Sequence, residues 1–263
     1  MSSTNGREPL PLERLLSRPV LVASAAIVGA AALAWAWLVT WQMPAGEPMV
    51  GMPGMVVSPD PWSAAYLLAT FAMWALMMVA MMLPSAAPMI LLHARIDRGT
   101  PAQRARDSGL FVLAYLAVWT AFSALAAAAQ AALVDAGAAA SASLALGDRA
   151  LAAGLLLAAA LWQLSPGKAA CLAQCQSPLR FVMRYWRPGP AGAVRLGLVH
   201  GLFCLGCCWS LMLLLFVGGV MNLAWVALLA AAVFAEKLAP PQWRLSRWLA
   251  AALAAGAAAV LLA

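Results

Sequence analysis

The sequence predicts an all-α fold: a polytopic transmembrane helical bundle of about seven spans, with the N-terminus in the cytoplasm and the C-terminus outside. Three observations predict it. The chain of 263 residues is 65% hydrophobic and only 10% charged, whereas a soluble domain carries about 25% charged residues, so it has too little polar surface to face water. Its apolar residues gather into charge-free runs of about 20 residues, the length that crosses a hydrocarbon core about 30 Å thick. Its basic residues fall between those runs, on alternate sides.

Taken in order, the runs are residues 20–40, 62–92, 108–134, 150–164, 196–217, 223–235 and 245–263. The fourth and sixth are short and extend towards Leu146 and Leu238. The first is too long for the apolar core of a signal peptide, and no small-residue cleavage site follows it, so it reads as a retained helix. Residues 1–19 then form a cytoplasmic tail and residues 20–263 one transmembrane domain. Lys and Arg concentrate in cytoplasmic loops, and this arrangement puts 15 of the 16 basic residues there. They are Arg7, Arg14 and Arg18; Arg95, Arg98, Arg104 and Arg106; Lys168, Arg180, Arg184, Arg187 and Arg195; and Lys237, Arg244 and Arg247, leaving Arg149 outside. The net charge of +7 thus orients the chain in a bacterial inner membrane. Nucleic-acid binders instead cluster basic residues on one solvated face. The loop at 43–61 carries Glu47 and Asp60 but no Lys or Arg and reads as external, and the Ala-, Ser- and Gly-rich stretch at 136–145 as a loop or a frayed helix end.

Leu and Ala suffice to fill a bilayer, so residues that are polar or reactive carry the information. In the second run Met73, Met77 and Met81 share a helical stripe beside Met78 and Met82, with Pro84 and Pro88 following. Thioethers are soft ligands for Cu(I), and they are also good core filler. In the fifth run His200, Cys204, Cys207 and Cys208 follow one another at i+3 and i+4 spacing, so an imidazole and three thiols share one helical face. Thiolates select Cu(I) or Zn. Cys171 and Cys175, in the cytoplasmic loop after the fourth run, form a C-x₃-C pair that provides a cytoplasmic exchange station for the same metal. Met49, Met52 and Met55 punctuate the external loop and read as a capture arm, or as an interfacial anchor. His93 is a lesser ligand candidate. Glu236 and Lys237, closing the sixth run, read as an interfacial anchor that snorkels to the headgroups. Gly218-Gly219 and Met221-Asn222 read as a tight external turn.

Several stretches carry a family resemblance: Met77-x-x-Ala80-Met81-Met82-x-Pro84, Gln163-x-Ser165-Pro166-x-Lys168-x-x-Cys171, Gly206-Cys207-Cys208-Trp209, Gly219-Val220-Met221-Asn222 and Glu236-Lys237. In these the chain resembles, over residues 60–240, a bacterial family of metal-binding integral membrane proteins labelled copper-chaperone-like. The resemblance implies metal binding. Together the residues suggest a non-enzyme that handles Cu(I), with zinc as the other metal such ligands accept. It would sit in the lipid bilayer, exchange metal with a soluble carrier or a cuproenzyme, and make no contact with nucleic acid. A membrane thiol–disulfide protein and an assembly subunit are the alternatives. No external loop carries a cysteine for the first, and the second predicts that Cys→Ser changes cost little.

Overall fold

The computed structural model describes residues 19–42, 60–96, 99–138 and 146–262. The tail at 1–18, the external methionines Met49, Met52 and Met55, and most of the 136–145 stretch lie outside them. The architecture is all-helical. Its helices are α1 (Pro19–Gln42), α2 (Ala64–Ile96), α3 (Pro101–Asp135), α4 (Arg149–Leu164), α5 (Pro166–Cys175), α6 (Pro178–Tyr185), α7 (Gly189–Leu213), α8 (Leu215–Gly218), α9 (Leu223–Leu238) and α10 (Leu245–Leu262).

Helix starts follow local chemistry. Thr100 opens α3 with a reciprocal capping box, its hydroxyl accepting from Gln103 N at 3.3 Å while the Gln103 side chain accepts from Thr100 N at 2.8 Å. Asp148 caps α4 and Asn222 caps α9, the latter after a turn in which Gly219 takes φ +86°, a conformation that favours glycine. Ser165 ends α4 and caps α5, accepting from Lys168 N at 3.0 Å, and Pro166 fills the first position of the new helix. The chain bends there by 66°.

Among the described residues, five helices are long and apolar enough to cross a membrane: α1, α2, α3, α7 continued by α8, and α10; the bent pair α4 and α5 makes a sixth if counted as one span. The remaining run, α9, has 16 residues and is about 24 Å long, short of a full crossing.

Packing centres on α2, which lies against α1 and α3, and on α7, which lies against α3 and α5; α10 covers α4. The α3–α7 contact is close because α7 presents glycine. A Cβ at Gly197 would stand 2.3 Å from the Phe111 carbonyl oxygen, and one at Gly201 would stand 2.8 Å from Val118 Cγ2. The two glycines are four residues apart, the small-xxx-small spacing that lets membrane helices touch backbone to side chain. An apolar cleft of about 850 Å³ between α1, α2 and α3, lined by residues such as Ile27, Leu83 and Leu113, contains none of the cysteines. We expect Gly197→Ala to push α7 off α3 and to cost about 1–3 kcal/mol, read as a lower thermal unfolding midpoint in detergent; an unchanged midpoint would mean that this crossing tolerates separation.

Candidate metal centre

Three helices bring sulfur to one place. Cys204, Cys207 and Cys208 lie along α7, Met82 comes from α2 and Cys175 from the end of α5, and all five are buried. Cys208 Sγ stands 3.9 Å from Met82 Sδ, and Cys175 Sγ stands 4.0 Å from Cys207 Sγ. With a metal–sulfur bond of about 2.3 Å, two sulfurs flanking one ion stand about 3.8 Å apart in tetrahedral geometry and about 4.6 Å apart when linear. Both pairs fall in that interval. Cys207 and Cys208 donate back to the Cys204 carbonyl oxygen at 3.1 and 2.9 Å, which fixes the two thiols one helical turn along from Cys204. The sulfurs meet in pairs: among the described residues, no three His, Cys, Asp or Glu side chains are grouped as a metal site requires. All five cysteines are free thiols.

Around Cys204 the surroundings are polar. Its Sγ lies 3.0 Å from the Tyr115 hydroxyl and 2.9 Å from Lys237 Nζ. Tyr115 also stands 3.1 Å from the Met82 carbonyl oxygen, so its one proton serves one of two acceptors. Lys237 donates to Ser85 Oγ at 2.8 Å, and Ser85 donates in turn to the Met82 carbonyl at 2.8 Å. A second buried ammonium lies nearby. Lys168 Nζ contacts both Glu236 carboxylate oxygens, at 2.8 and 2.6 Å, and the Gln163 side-chain oxygen. Ser246 donates to the same carboxylate at 2.6 Å, and Gln176 Nε2 donates to the Glu236 carbonyl at 2.8 Å. This network ties α4, α5, α9 and α10 together beside the sulfurs.

The structure corrects two sequence readings. Glu236 and Lys237 do not snorkel; they are 3% and 6% exposed. Helix α9 ends inside the bundle, where its last turn meets α7 at Cys204, so both head groups find protein partners in place of water. Cys171 and Cys175 are not in a loop. The bend at Ser165-Pro166 continues the chain as α5, which packs along α7. Cys175 thereby reaches Cys207, and Cys171 is half-buried against Gly206, where a Cβ would come within 2.8 Å of its sulfur.

The other candidates separate. The methionine face of α2 and the cysteine face of α7 are neighbours through Met82, while Met77, Met78 and Met81 are buried along the same helix. His200 stands apart from the sulfur contacts in an aromatic box of Phe111, Tyr115 and Phe181, with ring centroids 6.0, 5.5 and 5.3 Å away and its buried Nδ1 without a hydrogen bond. His93 stacks on Phe111 and lies 3.2 Å from Ser108 Oγ. Sequence reading gave no site role to Ser85, Tyr115, Gln163 or Lys168, although Gln163 and Lys168 stand among the family marks. The available signal was a polar side chain within or beside an apolar run, and Lys168 gives it most clearly.

Removing one partner of a buried ion pair strands the other charge, at a cost of about 3–5 kcal/mol, whereas replacing both by apolar residues is often neutral. Lys168→Met and Glu236→Leu should therefore each lower the thermal midpoint sharply, with the double variant recovering most of the loss. Additive losses in that cycle would show the pair is not coupled.

Residues 71–260 match a family model described as PpoB2, copper chaperone, a stretch that runs from α2 to α10 and includes every residue of the sulfur cluster and of the two buried ammonium networks. No curated protein and no solved structure matches the chain. The match takes in more than two thirds of the sequence, and the chain belongs to the PpoB2 copper chaperone family.

Proposed function

We propose that the protein is a membrane-embedded, non-enzymatic carrier of Cu(I), holding the ion on sulfur inside the bundle and passing it on. The observation that carries this reading is the pairing of sulfurs from three helices, Cys175 with Cys207 and Cys208 with Met82, at separations an ion can bridge. Paired thiol and thioether ligands suit Cu(I), whereas a structural zinc site closes with four ligands. Met82 adds a ligand that needs no deprotonation. Cys204, gripped by Tyr115 and Lys237, stands one helical turn before both pairs as a further thiol on the path and not as a ligand of either pair.

The path has two ends. Cys171 is the least buried of the cysteines and lies on the same short helix as Cys175, so it exchanges metal with a soluble carrier or a cuproenzyme on the cytoplasmic side. On the opposite side, the methionines of α2, Met77, Met78 and Met81, and the external Met49, Met52 and Met55 supply thioethers for capture. His200, one helical turn before Cys204, is enclosed by Phe111, Tyr115 and Phe181 and takes no part in the sulfur pairs. The orientation that supports this assignment is the one the basic residues favour, with the N-terminus in the cytoplasm of a bacterial inner membrane; α4 continued by α5 is the sixth crossing, and the 16-residue α9 makes a seventh only where the bilayer is locally thinned. The family description favours delivery over net transport. A thiol–disulfide role has less support, since none of the five cysteines lies in an external loop.

Two measurements test the reading. Protein purified in detergent under reducing conditions and offered Cu(I) should bind it stoichiometrically, and a Cys204→Ser/Cys207→Ser/Cys208→Ser variant of unchanged helicity should lose it; equal metal in both would remove α7 from the site. Cys171→Ser should keep the bound copper yet hand it to a soluble thiol chelator about tenfold or more slowly, because a ligand-exchange step through an accessible thiol has been deleted. Unaltered transfer would place the exchange station elsewhere.

A further inference from the structure

We propose that Lys237 is the built-in counter-charge of the sulfur site and makes it accept a monovalent ion in preference to a divalent one. The inference rests on the site being a metal site, as argued above, and goes further by assigning its charge selectivity to one residue.

Lys168 and Glu236 face each other at 2.6 Å and cancel. Lys237 is adjacent to Glu236 in sequence but points elsewhere, and among the described residues its hydrogen-bond partners are Ser85 Oγ and Cys204 Sγ, with no carboxylate in ion-pair range. The interior therefore holds one uncompensated ammonium, 6% exposed, where an isolated charge is costly. Its position supports that charge. Lys237 lies in the last turn of α9, the negative end of the helix dipole. Ser85, itself tied to the Met82 carbonyl, anchors the ammonium from the α2 side. The other titratable groups facing it are Tyr115 from α3, His200, Cys204, Cys207 and Cys208 from α7 and Cys175 from α5.

On the Cys175–Cys207 pair, 4.0 Å apart, two cysteine thiolates contribute two negative charges. A monovalent ion between them leaves one, and the ammonium cancels it, so the loaded site is neutral. A divalent ion on the same two thiolates leaves the ammonium uncompensated beside it, in surroundings where unit charges a few ångströms apart interact far more strongly than in water. A divalent ion reaches neutrality only with a third thiolate, and among the described residues no three such ligands are grouped. Lys237 is a positioning residue acting through charge, not a ligand.

The test is a competition between Cu(I) and Zn(II) for the full-length protein in detergent, under anaerobic reducing conditions, with bound metal quantified by mass spectrometry. Lys237→Met keeps the length of the side chain and removes the charge; Lys237→Gln, which still donates to Ser85, serves if the first variant melts early, and Lys237→Arg restores the charge. The wild type should take Cu(I) over Zn(II). Both neutral variants should shift the Cu(I)-to-Zn(II) affinity ratio towards zinc by about a hundredfold, and the arginine variant should return towards the wild-type ratio. A role in folding alone weakens both metals together and leaves the ratio unmoved, which would overturn the inference while copper binding by the wild type stands. A wild type that binds neither metal would overturn the metal reading and this inference with it.

Discussion

Two ammonium groups lie inside a helical bundle that is otherwise largely apolar, and the local structure gives each of them hydrogen-bond partners where it stands. Lys168 has a carboxylate, an amide oxygen and a neighbouring hydroxyl on the same carboxylate. Lys237 has a serine and a cysteine. Satisfying the first requires α5 to turn back towards α9, which the Ser165-Pro166 break provides. Satisfying the second requires α9 to end beside Cys204. The positions of Cys175, Cys204 and the end of α9 therefore follow from one electrostatic requirement, and the sulfur cluster is assembled by the same contacts that bury the charges.

The bundle around that point is held by close approach. Gly197 and Gly201 let α7 lie directly on α3, which puts Tyr115 within reach of Cys204 and places the rings of Phe111 and Tyr115 around His200. A larger residue at either glycine would move α7 and its cysteines as one body. Packing and site geometry are thus the same property measured at two positions. Neither depends on the cleft beside α1, a helix that begins before the family match and contributes no residue to the sulfur contacts.

Much of this is legible in the sequence, for identifiable reasons. Long charge-free runs declare helices because no other element hides its backbone so locally, and five of the seven runs appear as helices long enough to span a membrane. The alignment of Cys204, Cys207 and Cys208 follows from helical periodicity alone. What periodicity does not encode is the 66° turn after Leu164, so a pair of cysteines that reads as a loop becomes a helix aimed at Cys207. Glu236 and Lys237 mislead for a related reason: at the end of an apolar run, a charged residue that reaches water and one that reaches a buried partner look identical. Their meaning depends on where α9 stops relative to α7, a relation between distant segments. His200 illustrates the opposite limit, since its spacing matches the cysteines while its ring belongs to an aromatic cage.

The shortness of α4 and α9 has a consequence for the lipid. Each has 16 residues and measures about 24 Å, against a hydrocarbon thickness of about 30 Å. A bilayer surrounding such helices thins or admits headgroups and water where they stop, and α9 stops at Cys204. On the proposed Cu(I) reading, lipid thickness would then be a variable that sets how far the aqueous boundary lies from an ion on these sulfurs.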